Sequence, residues 1–559
     1  MKKYQKITIF TLLICSNSFS QNFTINFTSS IGFGKKITGV NTGPSSVVSG
    51  TTEECLKEIG TALVRTHDYT GPFDYWGYSN FYNKFNQTFN YSFQSHLPSG
   101  YNWSTSDAKI SEIVNANLQP FFRLGISDEP GTTSPPATPM PKDEDQYNFH
   151  TFAGIAKRTA MHYTASFDNG FNYDIPYWEI WNEPNNNGFW QIDSVNAYYR
   201  LYQQCVDSLK SFNPQLKVGG PAAAKNAFYT GGIHYTINQD YVSNFLNFCQ
   251  SNSVPLDFYS FHMYDRTNPY SLRMLTDTLA YFLNQYGFDS TEIIVSETNI
   301  NTGGYNNTSK GCSYLTSQLI STVNSRLSKF IWYRGVDLNP LCNSDIGTTA
   351  SLTLNGYAYK FFNELNELTP ILLSSTGNQY STANIRDSLN NLMILSGKNS
   401  TNDLVKLLVS NHESMHDSLN INIQNLPWSS TDEIKITIEQ IKSDAYSSSN
   451  YTTVGGTSLN ITLDSVSDAS VYFITIKNES LLSDQSINNE KGNLKIFPNP
   501  AENTIHFSKE VENVQIYDVL GQLILTQNEP TNQILLNNFK EGLYYIKLND
   551  LTIKFVVKH

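Results

Sequence analysis

The stretch Tyr177-Trp178-Glu179-Ile180-Trp181-Asn182-Glu183-Pro184 decides how this chain is read. Its first five residues are aromatic, β-branched or otherwise strand-compatible and predict a short buried strand. Pro184 stops that strand, and Asn185, Asn186, Asn187 and Gly188 supply turn chemistry after it. Asn182 and Glu183 therefore stand where a strand becomes a loop, which in a parallel barrel is the rim that collects catalytic groups. A carboxyl packed among indoles there is a candidate for a raised pKa, as a general acid requires. A lone glutamate in such a place is usually a solvated loop residue, so the reading needs a partner.

Ile293-Ile294-Val295-Ser296-Glu297-Thr298-Asn299 provides one, a second buried strand ending in a carboxylate. Glu183 and Glu297 are 114 positions apart. At the usual ~250 residues for eight βα units, that is roughly three to four units, which fits the ends of strands 4 and 7. Two carboxyls facing one another across a barrel mouth are the equipment of glycoside hydrolysis.

The rest of the barrel falls into place around these two strands. Ile37–Asn41, Ala62–Asp68 and Leu118–Gly125 precede Tyr177, while 216–221, 257–262 and 330–334 complete eight strands with the two already named. Helical periodicity lies between most of them, at 106–116, 148–164, 195–212, 241–251, 272–286 and 312–327, with a last helix at 357–368. That alternation predicts a (β/α)8 TIM barrel over 21–368. After Leu368 the runs shorten and alternate with period two, as in Leu419-Asn-Ile-Asn-Ile and Leu459-Asn-Ile-Thr-Leu, predicting a β-sandwich domain over 369–477. Residues 478–492 read as a polar linker, and 493–559 as a small all-β module.

Of 559 residues, only 15% are charged, against 39% hydrophobic, with 34 Tyr and 33 Phe; the formal charge of −12 argues against nucleic acid or an anionic membrane as partner. Residues 1–20 combine a basic start, a short apolar core and a small-x-small site before Gln21, and predict a signal peptide. That apolar core is too short to span a bilayer, and no later stretch predicts a transmembrane helix. Cys55, Cys205, Cys249, Cys312 and Cys342 match no zinc spacing, and their odd number leaves at least one free thiol. Cys312 and Cys342 flank the last barrel unit and are one conceivable bridge; buried unpaired thiols fit the reading better.

Several spaced motifs resemble glycoside hydrolase family 39: Trp178-Glu-Ile-Trp-Asn-Glu-Pro-Asn185 with Phe189-Trp190, Leu216-Lys-Val-Gly-Gly-Pro221, Val64-Arg-Thr-His67, and Asp257-Phe-Tyr-Ser-Phe-His262-Met-Tyr264. The family contains β-xylosidases and α-L-iduronidases, in a clan whose catalytic glutamates end strands 4 and 7. The resemblance implies Glu183 as acid/base, Glu297 as nucleophile, Asn182 on the sugar 2-hydroxyl, His67 on glycon hydroxyls, and His262 with Tyr264 beside the nucleophile. The chain departs from the β-xylosidase pattern after His67, where Asp68-Tyr69-Thr70-Gly71-Pro72-Phe73 stands in place of the usual Gly. The tail Leu494-Lys-Ile-Phe-Pro-Asn-Pro500, Val514-Gln-Ile-Tyr-Asp-Val-Leu-Gly521 and Gly542-Leu-Tyr-Tyr-Ile546 resembles a type IX secretion sorting domain, which implies that machinery as a partner, removal of the tail, and a secreted or surface-attached enzyme.

The function expected is a retaining, β-xylosidase-like glycoside hydrolase acting on plant or algal polysaccharides, with no metal or organic cofactor required. An iduronidase-, arabinopyranosidase- or galactan-active relative, and a non-catalytic carbohydrate-binding protein, are the alternatives. Arg65 is expected to support a carboxylate, Glu179 to join an ion pair deeper in the barrel, and Arg123 to be the rim cation a uronic acid would need. Trp332, near the end of strand 8, is read as a sugar-stacking platform, with core packing as the competing reading. Trp76, Trp103 and Trp190 lie in loops expected to rim the site.

Overall fold

The computed structural model describes residues 20–44, 52–67, 73–83, 88–126, 146–186, 189–190, 195–224, 228–231, 234–237, 239–264, 268–300, 304–336, 340–343, 351–377, 391–414, 416–481, 496–518, 522–548 and 551–558. Residues 1–19 of the expected signal peptide, most of the linker, and residues 68–72 of the loop after His67 lie outside the described residues.

Eight parallel strands close into a barrel: Thr38–Asn41, Leu63–Arg65, Gln119–Leu124, Tyr177–Ile180, Lys217–Ala223, Phe258–Met263, Glu292–Thr298 and Leu327–Trp332. They are called barrel strands 1 to 8 below. Leu63, Phe121, Tyr177, Phe258, Ile294 and Ile331 fill the lower interior as one apolar layer. Because alternate residues of a strand face opposite ways, this layer fixes which later residues point inward: Arg65, Arg123 and Glu179 follow two positions above it. The helices fall close to their expected spans, among them Ser104–Asn115, Val195–Phe212, Gln239–Ser251 and Ser271–Gln285. A short helix, Glu53–Glu58, between strands 1 and 2 escaped the sequence reading. The helix expected at 312–327 runs over Ser309–Thr322 instead, because Thr308 caps it by accepting from the Gly311 N–H and Leu327 already belongs to strand 8.

The β domain after Leu368 is a nine-stranded sheet. From one edge to the other its strands are Ala445–Val454, Glu433–Lys442, Ala469–Asn478, Leu404–His412, Asn391–Lys398, Ile371–Thr376, Ser20–Phe33, Ser418–Gln424 and Ser458–Asp464. Ser20–Phe33 corrects the expected barrel span of 21–368. It runs parallel to Ser418–Gln424 and antiparallel to Ile371–Thr376, so it belongs to this sheet. The reason is visible in its pattern: Phe23, Ile25 and Phe27 are buried and the residues between them are not, which suits a strand with one wet face. The sheet covers the barrel helix Ser309–Thr322, whose residues are buried on nearly every side. Polar groups at this junction are matched: Ser313 Oγ lies 2.9 Å from His412 Nδ1, and Ser317 Oγ donates to Ser410 Oγ at 2.9 Å.

The thiols depart from expectation at one bridge. Cys342 is bonded to Cys55, not to Cys312, and Cys205, Cys249 and Cys312 are free and buried. The tail forms its own unit of a three-stranded and a four-stranded sheet around a core that includes Ile505, Phe507, Ile516, Ile546 and Phe555. No helix among the described residues is long and apolar enough to cross a membrane.

Candidate active site

Barrel strand 4 ends in a strained turn. Trp181 (φ 72°) and Glu183 (φ 48°) both occupy the left-handed region, at a cost of about 1–3 kcal/mol each for residues other than glycine. Packing holds them there. The Trp181 indole donates to the Phe189 carbonyl at 3.0 Å and lies edge-on to Trp190. Gly125 makes room beneath, since a Cβ at that position would come within 2.8 Å of the Trp181 ring. The turn presents Asn182 and Glu183 to the barrel mouth. Glu183 Oε1 is 2.7 Å from His262 Nδ1, and its Oε2 accepts from Asn186 Nδ2 at 2.7 Å.

Glu297 reaches the same place by a different device. Counted from inward-facing Ile294, plain alternation would send Ser296 inward and Glu297 outward. A register shift between strands 6 and 7 breaks that count, so that Phe261 pairs with Val295 but His262 pairs with Glu297. Glu297 then receives four groups. Arg65 Nη1 donates to Oε1 at 2.7 Å, and His67 Nε2 lies 3.3 Å from the same oxygen. Tyr264 donates its hydroxyl to Oε2 at 2.6 Å, and His262 Nδ1 stands 3.4 Å from Oε2.

The electrostatics follow from this crowd. Burial works to raise the Glu297 carboxyl, but His262, His67 and Arg65 outweigh it and hold the group well below the usual carboxylate range. Burial pushes His67 down to about 3 against the pull of Glu297, so His67 is a neutral imidazole. Burial, reinforced by Glu297, raises the Tyr264 phenol well above its ordinary value and keeps its proton in place. Arg65 is the hub. Besides Glu297 it binds Glu179 Oε2 through Nε at 2.7 Å, Asn41 Oδ1 at 3.0 Å and Asn182 Oδ1 at 2.9 Å. Burial opposes its charge, yet Glu179 and Glu297 more than compensate and raise its pKa. Arg65 and Glu179 are thus the supporting pair expected of them, and they fix the heights of both Glu297 and Asn182.

Glu183, Glu297, Asn182, His67, His262 and Tyr264 therefore meet in one place. Trp332 does not join them. It is fully buried, faces the helix layer and lies 6.5 Å from the Tyr359 ring. Ile331 points into the barrel, so the next inward residue is Tyr333, one position further on. Tyr333 is half-buried and stands edge-on to His67 at 5.1 Å and to Tyr264 at 6.1 Å. The same parity count could have found it. Arg123 is not a rim cation: it is fully buried and bound to Asp74 Oδ1 at 2.6 Å. Trp103 stacks on Tyr78, Tyr101 and His162, and Trp190 packs on Trp181, so both staple loops; Trp76 is only partly buried and packs against the core. Asn41 and Asn186, which orient Arg65 and Glu183, were missed because short polar residues at strand and turn ends carry no distinctive signal.

A closed parallel barrel with paired carboxylates at the ends of strands 4 and 7 is equipped as the barrel-type glycoside hydrolases are. Among these, the chain belongs to glycosyl hydrolases family 39, whose profile matches residues 11–310. The profile of the secretion system C-terminal sorting domain matches residues 495–559, which marks the chain for export to the cell surface or beyond. A β-xylosidase of Geobacillus stearothermophilus is 26% identical over 211 residues, 35% of this chain and 36% of that protein. A β-xylosidase of Caldicellulosiruptor saccharolyticus is 24% identical over 172 residues, 28% of this chain and 30% of that protein. The chain thus spans about a third of the length of these curated relatives. The fold is shared with a glucosidase from Croceicoccus marinus (TM-score 0.65, 18% identity, covering 82% of this chain and 99% of that one). It is shared as well with a monomeric β-xylosidase from Caulobacter crescentus (TM-score 0.58, 14% identity, 82% and 99% covered).

Proposed function

We propose that this protein is an exported, retaining glycoside hydrolase with β-xylosidase-type activity. The observation that carries the reading is the convergence of Glu183 and Glu297, which offer oxygens within 4.8 Å of one another around His262. An approach that close favours the carboxyl separation of about 5–5.5 Å that retention uses over the roughly 6.5–9.5 Å of inversion.

In this mechanism Glu183, protonated, donates to the leaving oxygen. Glu297, kept ionised by its neighbours, attacks the anomeric carbon and forms a glycosyl-enzyme. Glu183 then takes a proton from water, which attacks the same carbon and releases the sugar with its configuration kept. Asn182, held by Arg65 through its Oδ1, offers its amide N–H to the sugar 2-hydroxyl, and Tyr333 supports the apolar face of the glycon. Xylosides are the first substrates to test because the two curated relatives named above are β-xylosidases. Removal of residues 1–20 and of the sorting tail belongs to the same proposal. A proton NMR time course of aryl xyloside cleavage tests the chemistry: first-formed product of retained configuration supports it, and inverted product refutes it.

A further inference from the structure

The nine-stranded sheet carries a second surface with an unusual chemistry. Three neighbouring strands, Ser20–Phe33, Ser418–Gln424 and the edge strand Ser458–Asp464, bury Phe23, Ile25, Ile421, Ile423 and Ile461 on one face. Their alternate residues form rows on the other face. Asn22 sits opposite Asn420, which sits opposite Thr462. Thr24 sits opposite Asn422, which sits opposite Asn460. Asn26, Gln424 and Ser458 make the third row. Every position in the three rows is an amide or a hydroxyl, without one charge or one alkyl side chain.

Part of this array is already knitted together. Asn420 Nδ2 donates to Asn22 Oδ1 at 3.1 Å, Thr462 Oγ1 to Asn420 Oδ1 at 3.1 Å, and Asn422 Nδ2 to Asn460 Oδ1 at 2.6 Å. These bonds fix the amide planes, so donors and acceptors stand in set directions. The first two rows border a shallow groove of about 450 Å³. Within it, Asn422 Oδ1 is buried and has no hydrogen-bond partner.

We infer that this face is a binding site for a neutral polysaccharide chain, outside the catalytic cleft. Fixed amides offer an acceptor and a donor side by side, which matches neighbouring hydroxyls on a pyranose ring. Strands about 4.8 Å apart repeat that offer along a line, as a polymer requires and a free monosaccharide does not. The lack of charge disfavours polyanions. Each hydrogen bond adds little net affinity in water, so binding needs several rows at once. The choice of a glycan as occupant rests on the glycosidase reading above.

The test is affinity electrophoresis of the full chain carrying Glu297→Gln, in gels containing xylan, arabinan, galactan or β-glucan. At least one polymer is expected to retard it, and the triple change Asn420→Ala, Asn422→Ala, Asn460→Ala to weaken that retardation by about tenfold. Placed in the active enzyme, the triple change should leave aryl glycoside turnover within about twofold while polymer hydrolysis falls. Thr24→Arg, which blocks the groove with bulk, is the second variant should the triple change lower the melting temperature. Retardation by none of the polymers, or retardation that survives both variants, overturns the proposal. Loss of aryl glycoside turnover in the otherwise wild-type enzyme would instead count against the proposed activity and leave the electrophoretic result standing.

Discussion

Arg65 holds Glu297 through a single 2.7 Å bond from Nη1, while its Nε and Nη2 are committed to Glu179 and Asn182. One guanidinium thus sets the position of the proposed nucleophile and of the proposed 2-hydroxyl ligand together. Arg65→Met is expected to leave Glu179 as a buried unpaired charge and to take from Glu297 its guanidinium, costing about 3–5 kcal/mol of stability. Arg65→Lys keeps a charge but not the fork, so kcat should fall by on the order of a hundredfold with a smaller loss of stability. Melting curves and steady-state kinetics of both variants check this; equal effects on stability and no effect of Lys on kcat would contradict it.

Glu183→Ala removes the proposed acid/base. Activity should fall on the order of 10²–10⁴-fold on substrates with poor leaving groups and much less on those with good ones, which need no proton. Added azide should restore turnover and yield a glycosyl azide of retained configuration. A loss independent of leaving group would assign the acid elsewhere.

Tyr333 and Trp332 should separate function from folding. Tyr333→Ala is expected to lower kcat/KM by about tenfold with little change in melting temperature. Trp332→Ala empties a core position, and should cost about 3–5 kcal/mol of stability. Reversed outcomes would restore Trp332 as the platform.

His412, buried between the barrel helix and the sheet beside Lys310 and Glu413, is pushed from 6.5 down to about 4, chiefly by burial. Between those values the unfolded chain binds the proton and the folded one does not. Stability is therefore complete above about 6.5 and declines as pH falls toward about 4. The loss is at most about 3.5 kcal/mol at ~1.4 kcal/mol per pH unit. His67 adds to the same trend with its value near 3. Melting temperature measured across this range should slope less in His412→Gln; an unchanged slope would remove His412 as its source.

The Cys55–Cys342 bond closes a loop of 287 positions. By chain-entropy reasoning a bridge of that length contributes up to about 5 kcal/mol. Reductant, or Cys342→Ser, should lower the melting temperature, while Cys312→Ser should not act through this route.

The barrel was legible because its strands are buried on both faces and read as continuous apolar runs, each ending in a polar tip. Glu183 and Glu297 stood out for the same reason. What stayed hidden depended on single-residue offsets or on distance. Tyr333 differs from Trp332 only by the parity of one strand, and the inward turn of Glu297 needs a shift that no periodicity announces. Cys342 could not be matched to Cys55 from spacing, because the two meet only after the barrel closes. Ser20–Phe33 looked like a preface to the barrel, although its alternation already belonged to a half-wet sheet.

That opening strand sets the order of assembly. Gln21 and Asn22 find hydrogen-bonding partners 356 and 398 positions downstream, at Gly377 and Asn420. A ribosome must therefore deliver about two-thirds of the 559 residues before its first strand has anywhere to dock. A chain interrupted before Gln424 would carry an open sheet edge ready to pair with its neighbours.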